Sequence, residues 1–82
     1  MWVDSWGNES NTKEEAKNKI LKNFRASEYY FETIAENLII PTKIFEWIVA
    51  NHWDEFKKEF DKEIDKAEKY WAEYYFEELE EI

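Results

Sequence analysis

The sequence predicts an all-α fold, a compact bundle of three or four helices that ends in a long amphipathic helix. Gly and Pro each occur once in 82 residues, whereas an all-β protein would need many more turn-forming residues. Apolar residues recur at intervals of three and four over most of the chain, which is the period of an α-helix. Aromatic residues make up 20% of the chain. Because each ring can bury about 150–250 Å², even a short chain can build a core.

Residues 1–11 are predicted to form an N-terminal arm. The stretch Gly7–Asn11 is polar and turn-prone. Trp2, Val3 and Trp6 are too apolar for a free tail, since an exposed tryptophan is costly to leave in water. We therefore expect them to dock on the helices; the alternative is that the two tryptophans face a partner.

A capping box marks the start of the first helix. The Thr12 hydroxyl and the Glu15 carboxylate can accept hydrogen bonds from the free backbone N–H groups at a helix start. The helical pattern then continues to Leu38, as one helix or as two. We favour a break near Ser27, which is a fair N-cap for a second helix. The predicted helices cover about 12–25 and 27–38.

Pro41 gives the clearest helix boundary in the chain. It disfavours helical geometry at the residue before it and lacks a backbone N–H, so one helix ends just before it and the next begins near Thr42. Asn51 and Asp54 are candidate caps for a further joint. The last two predicted helices cover about 42–51 and 53–80. The buried stripe of the first of these two is predicted to be Ile44, Phe45, Ile48 and Val49.

Residues 12–82 are predicted to form one helical domain. Within it, the predicted last helix has the most regular pattern of apolar residues. Its apolar positions step mostly by three or four residues: Trp53, Phe56, Phe60, Ile64, Ala67, Trp71, Tyr74, Leu79 and Ile82. Lysines and acids alternate from 57 to 69 and form a solvated face. A single helix over 53–80 would be roughly 40 Å long, at about 1.5 Å per residue.

The formal net charge is −9, and the acidic excess lies in residues 26–56 and 70–82. Phosphate backbones would be repelled, so we do not expect direct nucleic-acid binding, and a basic protein surface is the favoured partner. No run approaches the ~20 apolar residues of a membrane span, so we expect no membrane association. Cysteine is absent, and a cytoplasmic location is expected because nothing demands an oxidising compartment.

The residue types needed for catalysis or metal binding are scarce. The single histidine, His52, has no evident serine–acid context, and one His without any Cys excludes zinc-finger spacings. A single glycine leaves no phosphate-binding loop. So small a bundle also leaves little room for a pocket. We therefore predict no enzyme, no small-molecule substrate, no cofactor and no metal site.

The stretch 70–82 is the first candidate for a partner-binding surface. Five acids and five aromatic residues share its thirteen positions. Acids at a helix C-terminus oppose the helix dipole, which suggests a use beyond folding; the alternative is a solvated acidic end. On one continuous helix the carboxylates would align roughly along one side. The predicted partner-binding residues are Tyr70, Glu73, Tyr74, Phe76, Glu77, Glu78, Glu80 and Glu81, joined by Glu46, Asp54 and Glu55 from the middle of the chain.

The segment 31–53 resembles a helix-turn-helix. An Ile-Ala pair stands at 34–35, an apolar residue precedes the second helix, and a Trp-Ile pair follows at 47–48. The segment is most similar to the versions in phage small terminase subunits and related DNA-binding modules, in which the second helix enters the major groove. Here Leu38-Ile39 stands where a turn glycine is usual, and Lys43 is the only base on the second helix. A DNA-packaging or DNA-binding module is therefore the second hypothesis, and two packed helices without a DNA role would give the same pattern.

In size, acidity and aromatic content the chain resembles the small anti-defence proteins of phages, which include anti-CRISPR and anti-restriction DNA mimics. This resemblance implies a viral protein that acts in the host cytoplasm on a nucleic-acid-binding effector. The lead hypothesis is an acidic helical inhibitor or adaptor that occupies the basic surface of such an effector. The third hypothesis is a structural protein, a homodimer formed through the long aromatic helix.

Overall fold

A computed structural model describes all 82 residues as four α-helices and one small antiparallel sheet. The helices are α1 (Lys13–Arg25), α2 (Tyr30–Leu38), α3 (Thr42–Glu59) and α4 (Asp61–Glu77). The strands are β1 (Trp2–Val3), β2 (Glu9–Ser10) and β3 (Glu80–Glu81), in the order β2-β1-β3. The predicted all-α class is confirmed. None of the four helices combines the length and the apolar character needed to cross a bilayer.

The chain divides into two compact units, with one boundary between α1 and α2 and the other within α4. Unit 1 comprises Met1–Ser27 and Lys69–Ile82, and unit 2 comprises Glu28–Glu68. Negative charge is concentrated in unit 2, which has eleven acidic residues against five lysines. The prediction of one helical domain over 12–82 stays a prediction.

Unit 1 contains α1 and a core that α1 shares with the C-terminal part of the chain. The core cluster consists of Ala16, Ile20, Ala72 and Leu79, against which Trp2, Leu21, Trp71, Tyr75 and Phe76 pack. The predicted capping box is present at the start of α1. The Thr12 hydroxyl accepts from the Glu15 N–H at 3.1 Å, and the Glu15 carboxylate accepts from the N–H of Asn11, one residue before the cap, at 3.3 Å.

The three strands tie the two chain ends together within unit 1. Trp2 pairs antiparallel with Ser10 on one side and with Glu81 on the other. The N–H of Ile82 also donates to the carbonyl of Met1 at 2.8 Å. The predicted docking of the arm is confirmed for Trp2, which packs against the core cluster, while Trp6 remains 52% exposed. The strands themselves were not predicted.

Unit 2 begins with α2, whose end depends on a left-handed residue. Ile39 has φ 58° and ψ 44°, and the N–H groups of Ile39 and Ile40 donate to the carbonyls of Glu36 and Ala35. This is the Schellman arrangement, which satisfies carbonyls that a helix end leaves without partners. Both the predicted break after α1 and the predicted end near Leu38 are confirmed.

Aromatic packing fills the rest of unit 2. Phe45 is buried and contacts the rings of Phe31, Trp53 and Phe56, with ring centroids 5.6–6.3 Å apart. The contacts with Trp53 and Phe56 are edge-to-face, and such contacts add to the stabilisation that burial alone provides. The Tyr30 hydroxyl donates to the buried Glu68 carboxylate at 2.8 Å.

Two predictions about the second half of the chain are wrong, and one is confirmed. The predicted joint at 51–54 is confirmed, because two helical segments of α3 meet in a kink at His52 (φ −140°, ψ 25°). A break that was not predicted separates α3 from α4 at Phe60. The predicted helix over 53–80 therefore does not form as one element, and it ends at Glu77 because the chain then turns into β3. Ile44, which was predicted to be buried, is 53% exposed.

Candidate functional site

The acidic residues predicted at the C-terminus do not form a row on one helix. Glu73 and Glu77 lie on α4, whereas Glu80 and Glu81 lie on β3. Successive side chains of a strand point to opposite faces. The predicted alignment of these carboxylates is wrong because it assumed helical spacing beyond Glu77.

Some of the C-terminal candidates make contacts within unit 1 itself. The Ser5 hydroxyl donates to the Glu78 carboxylate. A hydrogen bond from the Tyr74 hydroxyl to Glu78, reinforced by the negative charge of that carboxylate, raises the pKa of Tyr74. Phe76 packs against the core cluster, and the ammonium of Lys17 lies 5.3 Å from the centre of its ring. Phe76 and Glu78 are therefore already engaged in contacts within unit 1, and a partner that bound them would have to keep or replace those contacts.

The other C-terminal candidates are exposed, as are the three in the middle of the chain. At the C-terminus these are Tyr70, Glu73, Glu77, Glu80 and Glu81, and Tyr74 and Glu78 are exposed as well despite their mutual contact. In unit 2, Glu46, Asp54 and Glu55 are exposed on α3, with the His52 kink between the first and the other two. The Glu55 carboxylate lies 3.5 Å from Nδ1 of His52.

An apolar surface that the sequence did not reveal lies beside Glu46. Ile39, Ile44 and Trp47 are 90%, 53% and 57% exposed, and all three fall in the α2–α3 turn or in the first two turns of α3. We call them the α3 patch. Ile44 and Trp47 are three residues apart and therefore lie side by side on the helix surface. Large apolar groups grouped in this way mark interaction sites more often than scattered exposed residues do.

Local contacts hold Trp47 in place at the surface. The side-chain amide of Asn51 donates to the Trp47 carbonyl at 3.0 Å. The ring of His52, at the kink, lies 5.0 Å from the Trp47 ring, with 54° between the ring planes. The kink therefore places an aromatic neighbour against a tryptophan that remains largely open to solvent.

The outward orientation of Trp47 could have been read from the sequence. An α-helix turns by about 100° per residue, so Trp47 lies about 160° around the helix from Phe45. Because Phe45 was correctly predicted to be buried, Trp47 had to face outward. Ile44 was misassigned because its position, about 100° from Phe45, fits either the edge of the core or the surface.

α2 and α3 are joined by a short turn, and the helix-turn-helix resemblance stays a prediction. Among the exposed residues of the first two turns of α3, Lys43 is the only base, and Glu46 and Trp47 follow it. Comparisons with protein-family models, with curated proteins and with solved structures give no match. The α3 patch and the acids around it therefore carry the functional proposal.

Proposed function

We propose that this protein is an acidic helical binder that occupies a basic protein surface, and that Trp47 is its anchor. The observation that supports this proposal best is the α3 patch, which exposes three large apolar side chains in the more acidic unit. Exposed aromatic residues that can enter a partner's pocket are the usual anchors of protein interfaces.

The apolar contribution can be estimated from the exposure of Trp47. A tryptophan can bury about 150–250 Å², and 57% of this residue is accessible. At about 25 cal/mol per Å² of apolar surface, covering it would contribute roughly 2–4 kcal/mol. Such a contribution changes a dissociation constant by more than tenfold, since about 1.4 kcal/mol corresponds to one factor of ten.

Charge gives the preferred chemistry of the partner. The exposed acids of α3, Glu46, Asp54 and Glu55, would face the rim of any interface centred on this helix. A rim of lysine and arginine on the partner would speed association and select the correct partner. A nucleic-acid-binding effector offers such a basic surface, and by covering it the protein would act as an inhibitor, as the anti-defence resemblance implies. A DNA partner would be repelled.

Capture from a host lysate at low salt and at ~0.5 M salt, where charge is screened, tests the role of Trp47. We expect the wild-type chain to retain basic nucleic-acid-binding proteins at low salt and to release them at high salt or when duplex DNA competes. Trp47→Ala should weaken this capture by about tenfold or more. Tyr29→Ala is the matched control, because Tyr29 is a similarly exposed aromatic residue (62%) that lies outside the α3 patch and outside the other candidate surfaces. Equal loss in both variants would count against a specific anchor.

Two sets of charge reversals separate the candidate surfaces. Changing Glu46, Asp54 and Glu55 to lysine should weaken capture and flatten its salt dependence. Changing the five C-terminal glutamates, which are Glu73, Glu77, Glu78, Glu80 and Glu81, should have the smaller effect. The opposite order would move the interface to the C-terminus, and unchanged capture in both variants would refute a charge-guided partner.

Two direct measurements address the remaining hypotheses. A shift of a DNA probe at low salt would support the DNA-binding hypothesis and contradict mimicry. Light scattering after size exclusion would detect a homodimer, for which the exposed α3 patch is a suitable contact. A dimer that dissociates on Trp47→Ala would show that the patch pairs two copies of this chain.

A further inference from the structure

A cavity of about 360 Å³ opens in unit 1, whereas the α3 patch belongs to unit 2. It is lined by Trp6, Asn8, Asn23, Phe24, Ser27 and Trp71. Its volume lies within the range of about 300–1,000 Å³ that is usual for ligand pockets. The expectation that so small a protein leaves little room for a pocket is therefore wrong for unit 1.

The walls of the cavity are aromatic and uncharged. Phe24 and Trp71 stack with ring centroids 3.9 Å apart and 8° between their planes. Trp6, in the turn between β1 and β2, stacks on Tyr75 with ring centroids 4.7 Å apart. No charged residue lines the cavity, although charged residues make up 38% of the chain. Such a lining favours a neutral ligand, because a charged group placed there would lose hydration without gaining an ionic partner.

A tied turn fixes the part of the wall that carries Trp6 and Asn8. The buried Asp4 carboxylate accepts from the backbone N–H groups of Trp6 and Asn8, both at 2.9 Å. The Asp4 N–H donates to the Asn8 carbonyl at 3.1 Å, and the Gly7 N–H donates to the Asp4 carbonyl at 3.1 Å. Gly7 supplies the positive φ, 84°, that this turn requires. The wall is therefore ordered before any ligand arrives, which lowers the entropic cost of binding.

We propose that this cavity binds a planar, uncharged heteroaromatic ring that carries hydrogen-bonding groups on its edge. The exposed face of Trp6 suits a flat ring, since stacking on an aromatic side chain contributes substantially to binding. Trp71, which packs against Phe24 and Tyr75, lines the wall beside it. The carboxamides of Asn8 and Asn23 can both donate and accept, as a nucleobase-like edge requires. A free heterocycle and the side chain of a partner's tryptophan share this chemistry. The site does not depend on the proposed function of unit 2.

An NMR titration of the full-length, ¹⁵N-labelled chain tests the proposal. The planar probes are adenine and N-acetyl-tryptophanamide, and the non-planar control is cyclohexanol. We expect saturable shifts of the Trp6 indole N–H and of the Asn8 and Asn23 carboxamides, with a dissociation constant on the order of 1 mM for probes of this size. Tighter binding of adenine would indicate a free heterocycle, and tighter binding of the tryptophan amide would indicate a partner's side chain.

Two variants and one control decide the outcome. Trp6→Ala should weaken binding by about tenfold, while the backbone bonds to Asp4 preserve the turn. Asn23→Leu, at an exposed position of α1, should weaken adenine binding by about threefold or more and leave helicity unchanged. Trp47→Ala should bind both probes as the wild type does. Absence of saturable shifts, equally tight binding of cyclohexanol, or unchanged binding in Trp6→Ala would overturn the proposal.

Discussion

Replacing Ile39 by glycine should stabilise the protein, because Ile39 occupies the left-handed region at φ 58°. An L-residue with a Cβ loses roughly 1–2 kcal/mol in this conformation, and a β-branched side chain is especially unsuited to it. The side chain is 90% exposed, so its removal sacrifices almost no burial. Glycine increases the entropy of the unfolded chain, which takes back about 0.4–1 kcal/mol. The net gain should be about 0.5–1 kcal/mol, or a rise in Tm of roughly 2–8 °C.

Urea unfolding followed by circular dichroism at 222 nm measures this gain through the transition midpoint. Ile39→Val keeps the β-branch and should leave the midpoint within a few tenths of a kcal/mol of wild type. Ile39→Asn should raise the midpoint, since asparagine tolerates the left-handed region. The same Ile39→Gly chain should capture less of the basic partner, because the α3 patch loses an apolar member. A midpoint at or below that of wild type for Ile39→Gly would refute the reasoning about strain.

Three further predictions concern single contacts. Gly7→Ala should lower the free energy of unfolding by roughly 1 kcal/mol in the same urea assay. The added methyl group would meet no neighbouring atom, but the φ of +84° is unfavourable for any residue with a Cβ. Tyr30→Phe removes the hydrogen bond to the buried Glu68 carboxylate and should cost about 1–3 kcal/mol; an unchanged midpoint would show that the bond is not needed. The Tyr74 pKa lies above the ordinary tyrosine value because of Glu78, so its contribution to stability is present below about pH 10 and declines as the pH rises through that pKa. Ultraviolet titration should show one high-pH tyrosine that Glu78→Gln shifts downward, and a titration unaffected by Glu78→Gln would contradict this assignment.

The helix boundaries that were predicted correctly have local chemical causes. A capping hydroxyl at Thr12 and the restricted backbone around Pro41 act on residues next to them, so the sequence alone is enough to place them. The break at Phe60 has no such signal. The Phe60 N–H still donates to the Phe56 carbonyl and the Ile64 N–H to the Phe60 carbonyl, both at 2.9 Å. The spacing of apolar residues by four, at Phe56, Phe60 and Ile64, therefore continues across the break and does not reveal it.

The strands and the cavity could not be predicted because they depend on contacts between distant residues. Trp2 pairs with Glu81 across nearly the whole chain, and two-residue strands are too short to show an alternating pattern. This pairing also explains the error at the C-terminus. A strand formed with β1 replaces the last helical turn, so Glu80 and Glu81 leave the face that Glu73 and Glu77 share.

The two exposed tryptophans, Trp6 and Trp47, each have a ring that rests against another aromatic ring. This contact distinguishes a ring prepared for binding from a ring that has simply failed to pack. The Trp6 ring stacks on Tyr75 with ring centroids 4.7 Å apart, and the Trp47 ring lies 5.0 Å from the ring of His52. A ring that merely failed to pack would need no such contacts and would sample many orientations. A ring already restrained during folding loses less freedom when a partner covers it, and immobilising a mobile side chain costs about 0.5–1.5 kcal/mol. Both tryptophans stay more than half exposed in the free protein, so a partner that covers them would gain apolar contact with rings that are already held in place.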